Sequence, residues 1–227
     1  MKLIRHLPLV IAGAFCISIA SAQSTFDVNM GFGAISDSAA STGIDSTSLG
    51  SCPLGGSTTC VKTPSLSGFM LGFGGNLMLW KHFGAGAEVS FQPGKQDYLS
   101  LPTAGTGLTS DVIQSRMTFF DVNGIAVPVR TKKASLQFTG GIGVANLRFY
   151  ENASSSNALT GSQNFSQFAG SSNHFDVHGG AGVQVYLTDH VFVRPQFDLH
   201  YVHNLTQFGR STVLEGTVWV GYSFGGQ

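Results

Sequence analysis

The sequence predicts an all-β chain, an eight-stranded antiparallel up-and-down transmembrane β-barrel. Three observations predict it: eight stretches of period-two hydrophobic alternation, short and long connections that alternate between them, and polar strand faces that hold no Lys and few other charges. Only 11% of the 227 residues are charged, against about 25% in ordinary soluble domains. Thirty glycines take up much of the difference, and Gly at that density is costly in helices. Eighteen Phe, five Tyr and two Trp argue against disorder. Twelve Lys and Arg balance twelve Asp and Glu, which leaves no basic footprint for nucleic acid.

Residues 1–22 read as a secretory signal peptide and residues 23–227 as the barrel domain. Lys2, Arg5 and His6 precede an apolar run from Leu7 to Ile19, and Ala20-Ser21-Ala22 supplies a small-residue cleavage site. The run is short for a membrane span, and Phe15 before Cys16 is too large for lipoprotein processing. Export leaves Cys52 and Cys60, eight positions apart in a Ser/Thr/Gly-rich stretch. A cysteine pair in an oxidising compartment is expected to form a disulfide, here closing a small surface loop.

The strands follow in order. In Phe26–Gly33 every even residue is apolar and every odd one polar or Gly. Phe69, Leu71, Phe73, Leu77 and Leu79 form the second stripe, and Phe83, Ala85, Ala87, Val89 and Phe91 the third. The fourth sets Phe120, Val122, Gly124, Ala126 and Pro128 against Asp121 and Asn123, and a phase slip near Arg116–Phe119 predicts a bulge. Leu136, Phe138, Ile142 and Val144 make the fifth, and Phe175 through Leu187 the sixth. Val191 through Tyr201 and Leu214 through Phe224 complete the set. Each is about the length a tilted membrane strand requires. Tight turns are expected at Lys81-His82, Arg130–Lys133 and Thr188–His190. Long polar loops are expected at Ile35–Ser67, Pro93–Gln114 and Glu151–Ser172, with a shorter one at His203–Arg210.

Alternation alone fits a soluble, lipocalin-like barrel equally well. Charge separates the two, because a water-facing exterior carries abundant Lys, Glu and Asp. Here the polar strand faces hold no Lys. Their Gly, Asn, Gln and Thr suit a crowded interior, and the uncharged apolar faces suit lipid. Aromatics gather near the tight-turn ends (Trp80, Phe83, Tyr186, Phe192, Tyr222, Phe224) and near the long-loop ends (Phe120, Phe149, Tyr150, Phe175, Tyr201). Two such girdles are expected at bilayer interfaces.

The signal peptide, the eight alternating strands and the terminal Thr217-Val218-Trp219-Val220-Gly221-Tyr222-Ser223-Phe224 resemble small bacterial outer-membrane β-barrel proteins, the OmpA-like and opacity-type transmembrane barrel superfamily. The resemblance spans the chain after the signal and rests on pattern. It implies residence in the bacterial outer membrane, contact with its lipid, and a monomer. It also implies that Val218, Val220, Tyr222 and Phe224 resemble the terminal-strand signal read by the barrel-insertion machinery, here followed by Gly225-Gly226-Gln227.

Glu88, Arg116, Asp121, Asp176, His178, Arg194, Asp198, His200 and Glu215 fall on the inward phase, Arg116 through the expected bulge. Charges confined in a narrow barrel should pair, and Arg194 is expected to contact Asp198, Glu215 or Glu88. Such a network predicts a plugged lumen and a structural or surface-interaction role, with a surface or host ligand met by the long loops. A narrow channel for small solutes is the alternative, and a lipid-modifying enzyme a weaker one. Catalysis is not expected, because the nearest serines to the inward histidines, Ser172 and Ser211, sit at loop ends. His174, Asp176 and His178 share one face, but strand histidines in a polar lumen ordinarily serve as hydrogen-bonding fillers. No metal and no cofactor is expected.

Overall fold

The computed structural model describes residues 25–37, 43–104, 108–157, 161–205, 207–208 and 210–225, so the segment read as a signal peptide lies outside the described residues. Twelve strands form among them: β1 (Phe26–Asp37), β2 (Gly43–Asp45), β3 (Ser51–Cys52), β4 (Cys60–Lys62), β5 (Gly68–Met78), β6 (Phe83–Phe91), β7 (Gln96–Ser100), β8 (Ser110–Arg130), β9 (Ala134–Asn157), β10 (Gly161–Tyr186), β11 (Val191–Val202) and β12 (Thr212–Phe224). Eight of these, β1, β5, β6, β8, β9, β10, β11 and β12, pair antiparallel in chain order. The ring closes where β12 returns to β1, in an unbroken register from Phe26↔Phe224 to Asp37↔Val213. Every barrel strand therefore has two neighbours, which removes the open sheet edge that lipid would not tolerate.

Period-two alternation becomes two faces of one wall. Phe26, Val28, Met30 and Phe32 of β1 point outward and are exposed, whereas Asp27, Asn29 and Gly31 between them are buried. The tight turns fall as expected, at residues 79–82, 131–133 and 187–190. Two are tied by threonine. The Thr131 hydroxyl donates to the Ala134 carbonyl, and Thr188 Oγ1 accepts from the Val191 N–H at 3.0 Å.

The opposite end departs from the sequence reading. The stretch 151–172, expected to be loop, is mostly strand. β9 and β10 continue their pairing out to Gly161↔Asn157, with one irregularity between Phe168 and Gly170. Its residues are largely Ser, Asn and Gln on both faces, because both faces meet water. The hydrophobic period vanishes there while the backbone ladder runs on. Within the expected loop at 93–114, β7 pairs with β8 and lengthens the same blade. The first long connection carries a small sheet of order β3-β2-β4, whose outer strands are joined by the Cys52–Cys60 disulfide (S–S 2.02 Å).

The bulge expected near Arg116–Phe119 is absent. β8 and β9 keep register from Ser110↔Ser154 to Ala126↔Phe138, and the irregularity lies between Ala126 and Val129. That step contains Pro128, which cannot donate to a ladder. The apparent phase slip arises because Met117 and Phe119 are apolar residues on the inward face, where both are fully buried.

Candidate functional site

The lumen is built in layers along the inward phase. At the outer end Ile35, Met70, Met117, Phe119, Ala145, Leu147, Val202 and Val213 converge from the wall, and Leu66, Leu205 and Phe208 descend onto them from the loops. Tyr98 and Phe149 pack at the edge of this cap, with ring centroids 5.0 Å apart. Burial pushes the Tyr98 hydroxyl up to about 12, and that hydroxyl donates to the Gln207 carbonyl. Alternation did not disclose this apolar cap. Its one signal was apolar residues on both phases, as in Met117-Thr118-Phe119-Phe120.

Three girdle assignments are corrected by the same geometry. Trp80, Phe83, Tyr222 and Phe224 do face outward at the turn end, and Phe120, Phe175 and Tyr201 do so nearer the loops. Phe149 joins the cap instead. Phe192 is fully buried, and Tyr186 meets it edge-on at 6.0 Å inside the turn-side mouth.

Below the cap lies the charged layer. Asp121 of β8, Asp176 and His178 of β10 and His200 of β11 are all buried and come together. His200 Nδ1 is 2.8 Å from Asp176 Oδ2, and His178 Nδ1 is 3.5 Å from Asp121 Oδ1 and 3.8 Å from Asp176 Oδ2. The two imidazoles, register partners across β10 and β11, stack at 5.0 Å. On its other side His200 Nε2 faces Glu215 Oε2 at 3.6 Å.

The remaining lumen carboxylates are held by neutral donors. Glu215 accepts from Ser90 and Thr217, Asp198 from Gln196 and Thr139, Glu88 from Asn123, and Asp27 from Ser223. Arg194 does not reach a carboxylate. Its Nη1 donates to Gln137 Oε1 at 3.2 Å and, with the Asn76 amide turned to satisfy its surroundings, to that oxygen at 2.7 Å. Its guanidinium lies against Trp219. The expected direct ion pair to Asp198, Glu215 or Glu88 is replaced by amide contacts, because Gln137, Gln196 and Asn76 fill the ring at that level.

Arg116 is the one predicted lumen residue that leaves the lumen. With no bulge to turn it, it keeps the outward phase of β8 and sits over the Tyr150 ring (5.7 Å), whose face Lys95 also approaches at 4.2 Å. His174 is likewise apart from the acidic cluster. Its Nε2 is 2.8 Å from Ser172 Oγ, the spacing of a nucleophile and its base, a contact sequence reasoning did not foresee. Its Nδ1 faces the His203 carbonyl at 3.1 Å, so a backbone oxygen stands where a triad places an acid.

Outside the membrane, Asp45 organises the disulfide-closed loop. Its carboxylate accepts from the Thr47 N–H (2.8 Å), the Ser48 N–H and the Thr59 hydroxyl. The Thr47 contacts, its hydroxyl first, hold the carboxyl down at about 2.

Residues 7–224 match the family described as the outer membrane protein beta-barrel domain. Solved structures similar to the chain include a major outer membrane protein from Thermus thermophilus, 12% identical with a TM-score of 0.50 over 88% of this chain and 99% of that one. The attachment invasion locus protein Ail of Yersinia pestis is 13% identical with a TM-score of 0.46, covering 88% and 99%. The outer membrane protein OprG of Pseudomonas aeruginosa is 15% identical with a TM-score of 0.46, covering 90% and 100%. At these identities the likeness is one of fold. No curated protein matches the chain in sequence. The closed antiparallel wall, its apolar exterior and the family match together establish that this chain belongs to the outer membrane protein β-barrel domain family and resides in the bacterial outer membrane.

Proposed function

We propose that the chain is a closed, non-enzymatic outer-membrane barrel that acts through its presence in the envelope and through its outer tier of β-structure. The observation that carries this reading is the apolar cap. Met117, Phe119, Leu147, Val202 and Val213 are fully buried inside the outer mouth, with Leu205 and Phe208 pressed onto them. An eight-stranded barrel has room for little besides side chains, and an apolar layer offers water and ions no hydrogen bonds. Below it, Trp219, Arg194 and Phe192 are also among the largest buried side chains.

The surface role is supported by what stands above the membrane. The disulfide-closed loop exposes Leu54 and Val61, and the β8–β9–β10 blade presents the exposed aromatics Phe165 and Phe168 to the outside. Val218, Val220, Tyr222 and Phe224 lie on β12, where Val220, Tyr222 and Phe224 are exposed to lipid, which suits a strand read by the insertion machinery.

Planar-bilayer recording tests the plug. The wild-type barrel is expected to give no single-channel steps, and a Leu147→Ala/Phe208→Ala variant to give steps through the thinned cap. Reproducible steps from the wild type would overturn the closed reading in favour of a narrow channel.

A further inference from the structure

Between the cap and the turn-side mouth, Asp27, Glu88, Asp121, Asp176, Asp198 and Glu215 surround the lumen, and Arg194 is the guanidinium buried among them, in contact with amides rather than with a carboxylate. Six carboxyl groups stand against one guanidinium, with His178 and His200 the other ionisable groups among them, and an uncompensated charge in such an interior costs several kcal/mol. Four of the six are met by hydroxyl or amide donors. Asp121 and Asp176 are the exceptions: Asp121 Oδ1 and Asp176 Oδ1 find no hydrogen-bond partner. Beside them stands His178, its side chain 1% exposed, with neither ring nitrogen hydrogen-bonded. Buried polar atoms are rarely left unsatisfied, and here four such atoms belong to three neighbouring residues.

We propose that Asp121, Asp176, His178 and His200 form a binding site for a divalent transition-metal ion of the zinc type. Each residue offers one ligand atom, and these atoms lie within 4.8 Å of one another. With metal–ligand distances near 2.1 Å, a tetrahedral set has its donors about 3.4 Å apart. Three of the six separations, 2.8, 3.5 and 3.8 Å, straddle that value and all six lie within 4.8 Å, so closure on an ion takes side-chain rotations rather than movement of the wall. Two imidazoles with two carboxylates suit zinc or cobalt, whereas calcium and magnesium take oxygen donors.

The surroundings are those of a supported site. Glu215 faces the second nitrogen of His200 and is itself fixed by Ser90 and Thr217, as the carboxylate behind a metal-bound histidine is. The Phe119 ring covers His200 at 4.4 Å and shields it from the outer mouth. Between β8 and β10, β9 supplies Gly141 and Gly143, register partners of His178 and of Asp121 and Asp176. A Cβ at Gly143 would collide with Asp121 Oδ1, and one at Gly141 would stand 2.8 Å from the His178 ring. Strand glycines at these two positions clear the space the cluster occupies. Such a site forms whether or not the barrel conducts.

The test uses the full chain purified in detergent, unfolded with chelator and refolded with CoCl2, so that the ion enters before the barrel closes. Folded protein is recognised by its heat-dependent gel mobility. Wild type is expected to show the visible absorption of tetrahedral cobalt at one ion per chain, displaced by one equivalent of zinc and not by calcium. Asp121→Asn and His178→Gln are expected to weaken cobalt binding at least about ten-fold, since even outer-shell partners of metal sites contribute roughly 10–100-fold. His174→Gln, outside the cluster, is expected to leave it unchanged. Folded wild type without tetrahedral bands would overturn the proposal, as would bands that survive both cluster substitutions. Should either variant fail to fold, the wild-type spectrum and its displacement by zinc decide alone.

Discussion

Arg194 lies against the indole of Trp219, its guanidinium carbon 5.6 Å from the ring centroid, and neither side chain reaches solvent. The two are register partners on β11 and β12. The indole extends over Gly31 and Gly72, where a Cβ would come within 2.7 and 2.5 Å of its ring. One large aromatic thus lies along the inner wall from β12 over β1 to β5 and covers the face of the buried cation.

Truncating that aromatic should therefore destabilise the barrel strongly. Trp219→Ala is expected to cost about 3–5 kcal/mol, the usual range for a buried Trp or Phe. Urea unfolding followed by the heat-dependent mobility shift measures it. A loss below about 1 kcal/mol would show that this level of the lumen is loosely filled.

The outer face makes the opposite demand. Ile142, whose register neighbours Val122 and Val177 are also exposed apolar residues, lies in the lipid-facing band. Ile142→Arg is expected to cost about 2–4 kcal/mol, the depth-dependent range for a cation near the bilayer midplane. Ser166→Arg, on the exposed blade, should stay within about 0.5 kcal/mol. Equilibrium folding into lipid vesicles distinguishes them, and equal costs would contradict the assignment of the two regions.

Acid should loosen the first loop before the barrel wall. Asp45 has a folded value of about 2 against an ordinary 3.8. A depressed carboxyl contributes order that is fully present above its unfolded value and is lost as pH falls through the folded one. Loop protection from protease is therefore expected to hold at about pH 5 and above and to fall between about pH 4 and 2. In Asp45→Asn the protection at neutral pH should be reduced, and the acid step should disappear. A loop as well protected at about pH 2 as at about pH 6 would contradict this.

Reducing the Cys52–Cys60 bridge should act locally. Chain-entropy reasoning gives roughly 2–3 kcal/mol for a loop this short, and the strands it joins, β3 and β4, pair only with β2. Cys52→Ser/Cys60→Ser is expected to increase proteolysis within residues 43–62 while the urea midpoint of the barrel stays unchanged. A shifted midpoint would mean that the loop supports the wall.

How much of this was legible in the sequence follows from where each face points. Phe26 through Phe32 alternate because one face meets lipid and the other the lumen, so strand and orientation were readable together. The upper part of β9 and β10 was not readable, because Ser155, Asn164 and Gln167 meet water on whichever face they stand. Backbone pairing leaves no mark on composition there. The cap escaped because Phe119 and Leu147 break alternation without breaking the strand. Among the inward residues, spacing placed Asp176 and His178 on one face. Register across four strands, β8 to β11, was needed to bring Asp121 and His200 to them, and register is a long-range property that spacing does not encode.

The seam between β1 and β12 carries a kinetic consequence. Phe26 and Phe224 are opposite ends of the described chain, yet they are register partners with rings stacked at 6.1 Å. No product that stops short of β12 can complete this pairing, because the last barrel strand to be made is the one that welcomes the first. Contacts this distant in sequence form slowly, and an unpaired strand edge is exposed to other chains while it waits. Successful assembly therefore depends on escort: the chain must be kept apart from its copies until both ends of the seam are present.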